Sequence, residues 1–503
     1  MTMDQPMKLN PGIERVWTNI FGPADGRREF RTLLVISVLL FLQVSPYWLP
    51  TPDAAAYLSI ARSLAAGEGL TRYGSPHLFY APGYPIAIAP VFFVFGRSFL
   101  ALSVAHWCFL VLFLFGTYVW AKRVAPAYAL SVALLSAANV GVLYYFRRTL
   151  SEAVFMPLLM WSAVALNKLA DRRPGDRGWM LPLAFLAVAY LCLVRQAGLA
   201  LPLGFGCLML RQAFQNRTRW PWAVLDAGIV GAGALLATGG LVFYDRTMAL
   251  AAGAEPTYVG MAFGPDATLS SQLFSGLHLR IQEVGRLLVP GAFRVYGDWL
   301  NPCMLLYVPL FAAVCLGCFR LARATPDALC FAFPLYLALY LLWPYEQGCR
   351  FMTPFVPLLW LSLVALLSRL AGHQRLMRII VWMVPLTVIT ALVYLAKDFA
   401  DSQKLDRHWV SLDAICRQVP AGETLGALLT SQPQYLMLQV RRDLPVLRLR
   451  DASDIAPELR FILADTNVVV PPGFARSFGC GDIVLLQRSP AHARNGAPLV
   501  PDD

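Results

Sequence analysis

Charge is scarce in this chain, and that scarcity excludes most soluble folds. Only 14% of its 503 residues are Asp, Glu, Lys or Arg, 57% are hydrophobic, and the mean hydropathy is +0.55. A water-soluble globule needs more polar surface than this, whereas a polytopic membrane protein does not. Internal repeats and low-complexity tracts are missing. No GxxxxGK[ST] loop occurs, which removes the commonest phosphate cradle of soluble nucleotide enzymes. The net charge of +12 would suit nucleic acid, but the Lys and Arg residues cluster beside apolar runs rather than forming a basic stripe. That placement suits anionic lipid headgroups and no nucleic acid partner. Most of the ten cysteines lie in apolar segments (Cys108, Cys192, Cys207, Cys315, Cys318, Cys330) and read as small buried hydrophobes. Cys416 and Cys480 lie in the polar tail and could pair in an oxidising compartment.

What is present is a series of apolar runs. Spanning segments are expected near 33–49, 98–121, 126–146, 150–168, 178–194, 197–211, 222–243, 303–320, 327–343, 351–369 and 377–396, within a total of about 11–13 helices. The first follows a basic leader (Arg15, Arg27, Arg28, Arg31) but no small-x-small cleavage site, so it reads as a retained helix. With residues 1–32 cytoplasmic, alternate connections carry Lys122 and Arg123; Lys168, Arg172, Arg173 and Arg177; Arg211, Arg217 and Arg219; Arg320 and Arg323; Arg369, Arg375 and Arg378. This is the positive-inside pattern. It puts the loops 50–97 and 244–302 and a tail of 397–503 on the extracytoplasmic side, with 33–396 as the membrane domain. The run Tyr84 to Phe95 is short and holds Pro85 and Pro90, so it is drawn as interfacial or re-entrant. In the tail, Val468-Val-Val470 and Asp482-Ile-Val-Leu-Leu486 read as β-like pieces of a small α/β domain. Gly231-Ala-Gly233 lies mid-span and reads as helix packing.

The charges on the side that should be poor in them carry the chemistry: Asp53, Arg147, Arg148, Glu152, Arg195 and Arg350. Thr51 suits an N-cap, Pro52 the first helical position, and the run to Ala66 before Gly67 a short helix. An acid in a first turn commonly serves only the helix dipole. Asp53, however, stands alone at the membrane surface, which favours function. A sugar linked through phosphate to a polyprenol has an anionic leaving group at the bilayer surface. Its transfer needs cationic donors for the phosphate and a carboxylate for the incoming hydroxyl. Arg350, Arg195, Arg147 and Arg148 could supply the first, and arginine's planar fork suits phosphate. Each could instead snorkel from a helix end, with Arg147 and Arg148 evenly balanced. Glu152 is either a supporting acid or acceptor ligand, or a partner of Arg147 or Arg148. His77 reads as a surface residue and His106 as a hydrogen-bonded packing residue. Trp299, Tyr296, Trp343 and Tyr345 are either stacking platforms for a sugar or an interfacial aromatic belt.

The order of motifs resembles a known family. Asp53 after the first spanning helix, Tyr57 four residues on, an Ala-rich helix ending in Gly67, then Tyr80-Ala-Pro-Gly-Tyr-Pro85 resemble the GT-C polyprenyl-phosphate-sugar-dependent glycosyltransferases. The branch most resembled is that of dolichyl-phosphate-mannose protein mannosyltransferases and aminoarabinose transferases. Leu150-Ser-Glu-Ala-Val-Phe155 and Arg350-Phe-Met-Thr-Pro-Phe-Val-Pro357 resemble two further family motifs, and the likeness covers roughly residues 30 to 370. It implies a polytopic helical fold, a multi-pass protein of a bacterial inner or plasma membrane, and an extracytoplasmic active site. It further implies catalysis by Asp53, as base or orienting group for the acceptor hydroxyl, and Glu152 is the second candidate catalytic acid. Arg350, Arg195, Arg147, Arg148, Tyr57, Tyr84 and Tyr345 are the residues expected at the lipid phosphate or sugar. The partners implied are a polyprenyl-phosphate-linked sugar, a glycan, lipid or protein acceptor, and membrane lipids. Ala54 replaces the second acid of mannosyltransferases, and Ala81 the lysine of aminoarabinose transferases. No cofactor is therefore firmly implied, and a divalent cation stays open. A transporter or flippase of lipid-linked glycans, or a non-catalytic subunit, would be the alternatives, although the chain shows neither mid-span charge nor repeat symmetry.

Overall fold

The computed structural model describes residues 26–72, 75–76, 80–172, 178–217, 220–251, 269–293, 301–343, 346–420 and, further on, 423–428, 446–449, 455, 459–465, 467–480 and 483–489. Among these residues seven helices are long and apolar enough to cross a membrane, or eight if one bent pair is a single span. They are Phe99–Val124, Glu152–Asp171, Gln196–Gln215, Trp220–Tyr244, Met304–Ala324, Thr353–Leu370 and Gly372–Asp406, with Pro126–Ala137 and Val140–Arg147 as the bent pair. Met180–Val194, Ala328–Leu341 and Gly83–Phe95 are shorter apolar helices. The architecture is a polytopic helical bundle in which each expected segment overlaps a helix, although those at 33–49, 178–194 and 327–343 are shorter than a full span.

Several boundaries differ from expectation for local reasons. The first helix runs over Gly26–Leu39 with a 3-10 turn at Leu40–Gln43. Its first turns hold Glu29, which is buried against Lys122, whose Nζ donates to it at 2.8 and 2.7 Å. It stops early because Ser45 precedes Pro46, and a residue before proline is steered away from the helical region. The segment expected as one span over 126–146 is bent by 50°. There Asn139 caps the second half, its side chain accepting from Gly141 N–H at 2.9 Å and donating to the Leu287 carbonyl at 2.6 Å. Gly83–Phe95 has 13 residues with Pro90 inside. That is roughly 20 Å of helix, too short for a bilayer. The last helix does not end near 396 but continues to Cys416, so position 397 falls inside it.

Glu152–Asp171 is the central helix, buried along most of its length. At one end Asp171 pairs with Arg123 at 2.9 Å, and Arg123 also reaches the buried Asp327 at 3.3 Å. Asp327 is further satisfied by Trp120 and Asn167. At the other end, about 30 Å away for 20 residues, stands Glu152. Of the Gly231-Ala-Gly233 stretch expected to serve helix packing, Gly233 packs against Phe185, whereas Gly231 faces open space. Of the six span cysteines, Cys192, Cys318 and Cys330 are buried, Cys315 is partly so, and Cys108 and Cys207 lie on the outer surface. The side chains of Cys416 and Cys480 are outside the described set.

Two short strands, β1 Thr71–Arg72 and β2 Ser75–Pro76, pair antiparallel in the loop after Gly67. The tail carries five more: β3 Leu425–Leu428, β4 Val446–Arg448, β5 Phe461–Asp465, β6 Phe474–Cys480 and β7 Ile483–Arg488. They form one sheet in the order β4-β3-β5-β7-β6. β4, β3 and β5 are parallel, and β7 and β6 are antiparallel additions. Ile462, Ala464, Val484 and Leu486 fill a core on one face, whereas Leu463 and Leu485 point to the other. The stretch from Ile483 is a strand as expected, but Val468-Val-Val470 is not. Pro471 and Pro472 follow it directly, and Val469 is 88% exposed, so the run ends in a turn rather than joining the sheet.

Candidate active site

Two carboxylates and two arginines converge at the end of the bundle marked by Glu152. Asp53 is placed by the helix Pro52–Ala65, for which Thr51 is the N-cap, its side chain accepting from Ala54 N–H at 3.2 Å. Gly67, at φ +77°, turns the chain out just after this helix. Glu152 opens the central helix, so both acids sit at helix N-termini, where the backbone dipole favours negative charge. The turn into Glu152 passes through Thr149 at φ +56°. A threonine there carries on the order of 1 kcal/mol or more of backbone strain.

The arginines come from non-helical connections. Arg195 is extended, between Met180–Val194 and Gln196–Leu199, and Arg350 precedes the turn Thr353–Phe355. Arg350 bridges the acids, Nε donating to Glu152 and Nη1 to Asp53. Arg195 Nη1 also donates to Glu152, and to Ser151 Oγ at 3.3 Å. Its Nη2 reaches the Tyr340 hydroxyl at 3.4 Å. The Glu152 side chain is fully buried, those of Arg195 and Arg350 are 11% exposed, and that of Asp53 is 28% exposed. Asp53 is thus the acid of the pair that a molecule arriving from outside could meet. Burial opposes the charge on Arg350, but Glu152 and then Asp53 outweigh it and hold its pKa well above the ordinary value.

Tyrosines form the wall beside Asp53. Tyr80 donates to Asp53 Oδ1 at 3.1 Å. Tyr57 meets the rings of Tyr80 and Tyr84 edge-on, both at 5.1 Å. Burial pushes the Tyr57 phenol up to about 12 against the pull of Arg350. Burial and the neighbouring Asp53 push Tyr80 well above the usual range. Both phenols are therefore protonated donors at neutral pH. Tyr84 contacts His106 Nε2 through its hydroxyl at 2.8 Å, which gives His106 the hydrogen-bonded packing place expected of it. Gly83 is needed at its position, because a Cβ there would lie 2.5 Å from the Val194 backbone nitrogen and would push the Pro-Gly-Tyr-Pro segment off the stretch of chain that leads to Arg195.

Arg147 and Arg148 go elsewhere. Arg147 Nε donates to Asp398 at 2.5 Å and its Nη1 to the Gln43 carbonyl at 2.6 Å. Arg148 Nη2 donates to Asp398 at 3.2 Å and its guanidinium lies over the Tyr144 ring at 4.7 Å. Tyr394 completes the shell around Asp398 at 3.1 Å. The pairing of Glu152 with Arg147 or Arg148 is therefore not formed, because both guanidiniums are held by the long helix Gly372–Cys416. Tyr345, His77, Tyr296 and Trp299 lie outside the described residues, and Trp343 packs against the core. Tyr80 stands in the sequence within a quoted motif but without a role of its own. Ser151, Gln347 and the helix Leu269–Leu288 also border the site, and the sequence signal for that helix is that its charges Arg280, Glu283 and Arg286 recur every third residue along one side.

The carboxylates do not form a metal donor set as arranged. A guanidinium lies between Asp53 and Glu152, and among the described residues no group of three His, Cys, Asp or Glu side chains converges.

No protein-family model matches the chain, and no curated protein matches it in sequence. Solved structures do match it in fold. ArnT from Cupriavidus metallidurans bound to undecaprenyl phosphate superposes with a TM-score of 0.58 at 11% identity, over 92% of this chain and 98% of that one. The Archaeoglobus fulgidus oligosaccharyltransferase tethered to an acceptor peptide superposes at 0.54 and 12% identity, over 90% of this chain and 70% of that one. The same oligosaccharyltransferase in complex with zinc and sulfate superposes at 0.52 and 12% identity, over 86% and 68%. These likenesses extend over most of the chain, and the chain accordingly has the GT-C fold that its motifs resemble.

Proposed function

We propose that the protein is a membrane glycosyltransferase that moves a sugar from a polyprenyl-phosphate donor to a hydroxyl acceptor at the extracytoplasmic face. The observation that carries this reading is the convergence of Asp53 and Glu152 on one guanidinium, Arg350, with Arg195 behind it. Asp53 takes the proton of the acceptor hydroxyl as its oxygen attacks the anomeric carbon. The bond from that carbon to the phosphate oxygen breaks, and its electron pair leaves on the phosphate. Arg350 and Arg195 donate to the phosphate oxygens where this charge gathers. Glu152 and Asp53 together balance the charge of the two arginines before the donor arrives, and Glu152 holds both forks in place. Tyr80 and Tyr57 line the side of Asp53, and the buried Tyr84 supports Tyr57 from behind. Arg147 and Arg148 anchor the long helix through Asp398 rather than meeting the phosphate.

ArnT holding undecaprenyl phosphate in the same fold supports the choice of donor. Asp53 and Glu152 at helix N-termini and Arg195 and Arg350 in connections between helices suit a reaction at the membrane surface. The test is incubation of purified protein with labelled polyprenyl-phosphate sugars and candidate glycan, lipid or protein acceptors. Transfer from the lipid donor is expected and transfer from a soluble nucleotide sugar is not; efficient use of the nucleotide sugar with no lipid present would defeat the reading. A reporter active only outside the cytoplasm checks the orientation. It is expected to work when fused beyond residue 489 and to be silent between Glu152–Asp171 and Met180–Val194, and the reverse result would turn the site to the cytoplasm.

A further inference from the structure

Arg350 lies in a turn, and a turn alone does not hold a guanidinium between two acids. The residues after it are gripped from the helix Leu269–Leu288. Glu283 is 3% exposed, and its Oε2 accepts the backbone N–H of Met352 at 3.0 Å. Its Oε1 lies 3.1 Å from Arg280 Nη1. Arg280 is fully buried and its guanidinium lies over the Phe351 ring at 4.8 Å. Among the described residues its nitrogens have no aligned hydrogen-bond acceptor, so the contact with Glu283 is one of charge. Phe351 in turn stacks on Tyr340 at 4.0 Å, and the Tyr340 hydroxyl receives Arg195. Gly348, at φ +69°, and Thr353, whose hydroxyl donates to the Cys349 carbonyl at 2.6 Å, tighten the same turn.

From this arrangement we infer that Glu283, paired with Arg280, is a positioning residue that fixes the 349–352 turn and so aims Arg350 at Asp53 and Glu152. The inference rests on the proposed transfer reaction for its readout. It assigns no contact with substrate to Glu283. The acid acts by accepting the one backbone N–H that follows Arg350 by two residues, while Arg280 clamps the ring between them. A buried carboxylate that lost this role would leave Met352 N–H unsatisfied and the turn free to shift, and a shift of about 1 Å at a reacting group can lower turnover on the order of a hundredfold.

A double-mutant cycle tests it. Glu283→Leu is expected to lower turnover about tenfold or more in the otherwise native protein. In an Arg350→Ala background the same change should cost less than about threefold, because the group it positions is gone. A merely structural role would lower turnover by the same factor in both backgrounds, and that result would overturn the inference. Native turnover in Glu283→Leu would overturn it too. Glu283→Asp, which keeps the charge and shortens the reach, enters the same cycle if the leucine variant does not fold. Asp53→Asn, measured alongside, separates the two ideas. An additive cycle with an inactive Asp53→Asn sinks only the positioning role, whereas an active Asp53→Asn sinks the transfer reading itself.

Discussion

Arg350 holds Asp53 across 297 residues of sequence. The same guanidinium also holds Glu152, so any anion that takes up Arg350 must compete with two carboxylates. In the proposed reaction the donor phosphate would be that anion, and taking up Arg350 would release Asp53 to act on the acceptor.

The relationship makes Asp53→Asn informative in two directions. Turnover is expected to fall roughly a hundredfold or more, since the amide keeps size and position but cannot take a proton. Binding of a polyprenyl phosphate without sugar is expected to tighten, because Arg350 has lost one competing charge. Turnover within about threefold of native would remove Asp53 from its assigned role.

Arg350→Ala should weaken donor binding by about 1.5 to 3 kcal/mol, the range for a hydrogen bond to a charged group, with little change in acceptor KM. Arg350→Lys should recover part of the loss, since a single ammonium cannot span two oxygens as a fork does. Donor titrations of the two variants decide the matter, and native affinity in the alanine variant would return Arg350 to a purely structural place.

Asp398 offers the contrast. Its carboxylate is 1% exposed and holds both Arg147 and Arg148. Asp398→Ala leaves two arginines without their partner, which typically costs about 3 to 5 kcal/mol. A lower unfolding temperature in detergent with unchanged donor affinity is expected. A selective loss of donor affinity at native stability would instead place Arg147 and Arg148 at the phosphate.

Glu283 predicts a pH dependence of stability. Burial pushes its carboxyl up to about 7, against the pull of Arg280, the Met352 N–H and Arg286 and with a smaller push from Glu346. Tyr145 and Cys349 also face it. Because the folded value lies above the ordinary one, the stability linked to the protonated form is complete at low pH and is lost as pH rises through about 7. The thermal midpoint of the native protein should therefore fall relative to Glu283→Gln between about pH 5 and 8. A difference that stays constant over that interval would show that Glu283 does not titrate there.

Much of this molecule was legible in one dimension. Apolar runs of bilayer length and basic alternate connections set the polytopic class, because in lipid the backbone can satisfy itself only within helices. The Thr51-Pro52-Asp53 helix start was readable because caps are local, as was the shortness of Gly83–Phe95 from its length and prolines. The alternation of apolar runs and basic connections put Asp53, Arg147, Arg148, Glu152, Arg195 and Arg350 on one side, and motif order singled out Asp53, Glu152 and Arg350 among them. Their meeting at one guanidinium was decided only by tertiary structure, since nothing local links Arg350 to residues 297 and 198 positions away. The same holds for Arg147 and Arg148. Sequence left them evenly balanced, and Asp398, on a helix that runs past its expected end, took both. The spacing of Arg280, Glu283 and Arg286 marked that helix face, but the role of Glu283 was not legible, because the group it holds is a backbone N–H of a distant turn, and a backbone group leaves no mark in composition or spacing. Local rules determine where helices begin, end and face; which charges are buried together depends on how those helices pack.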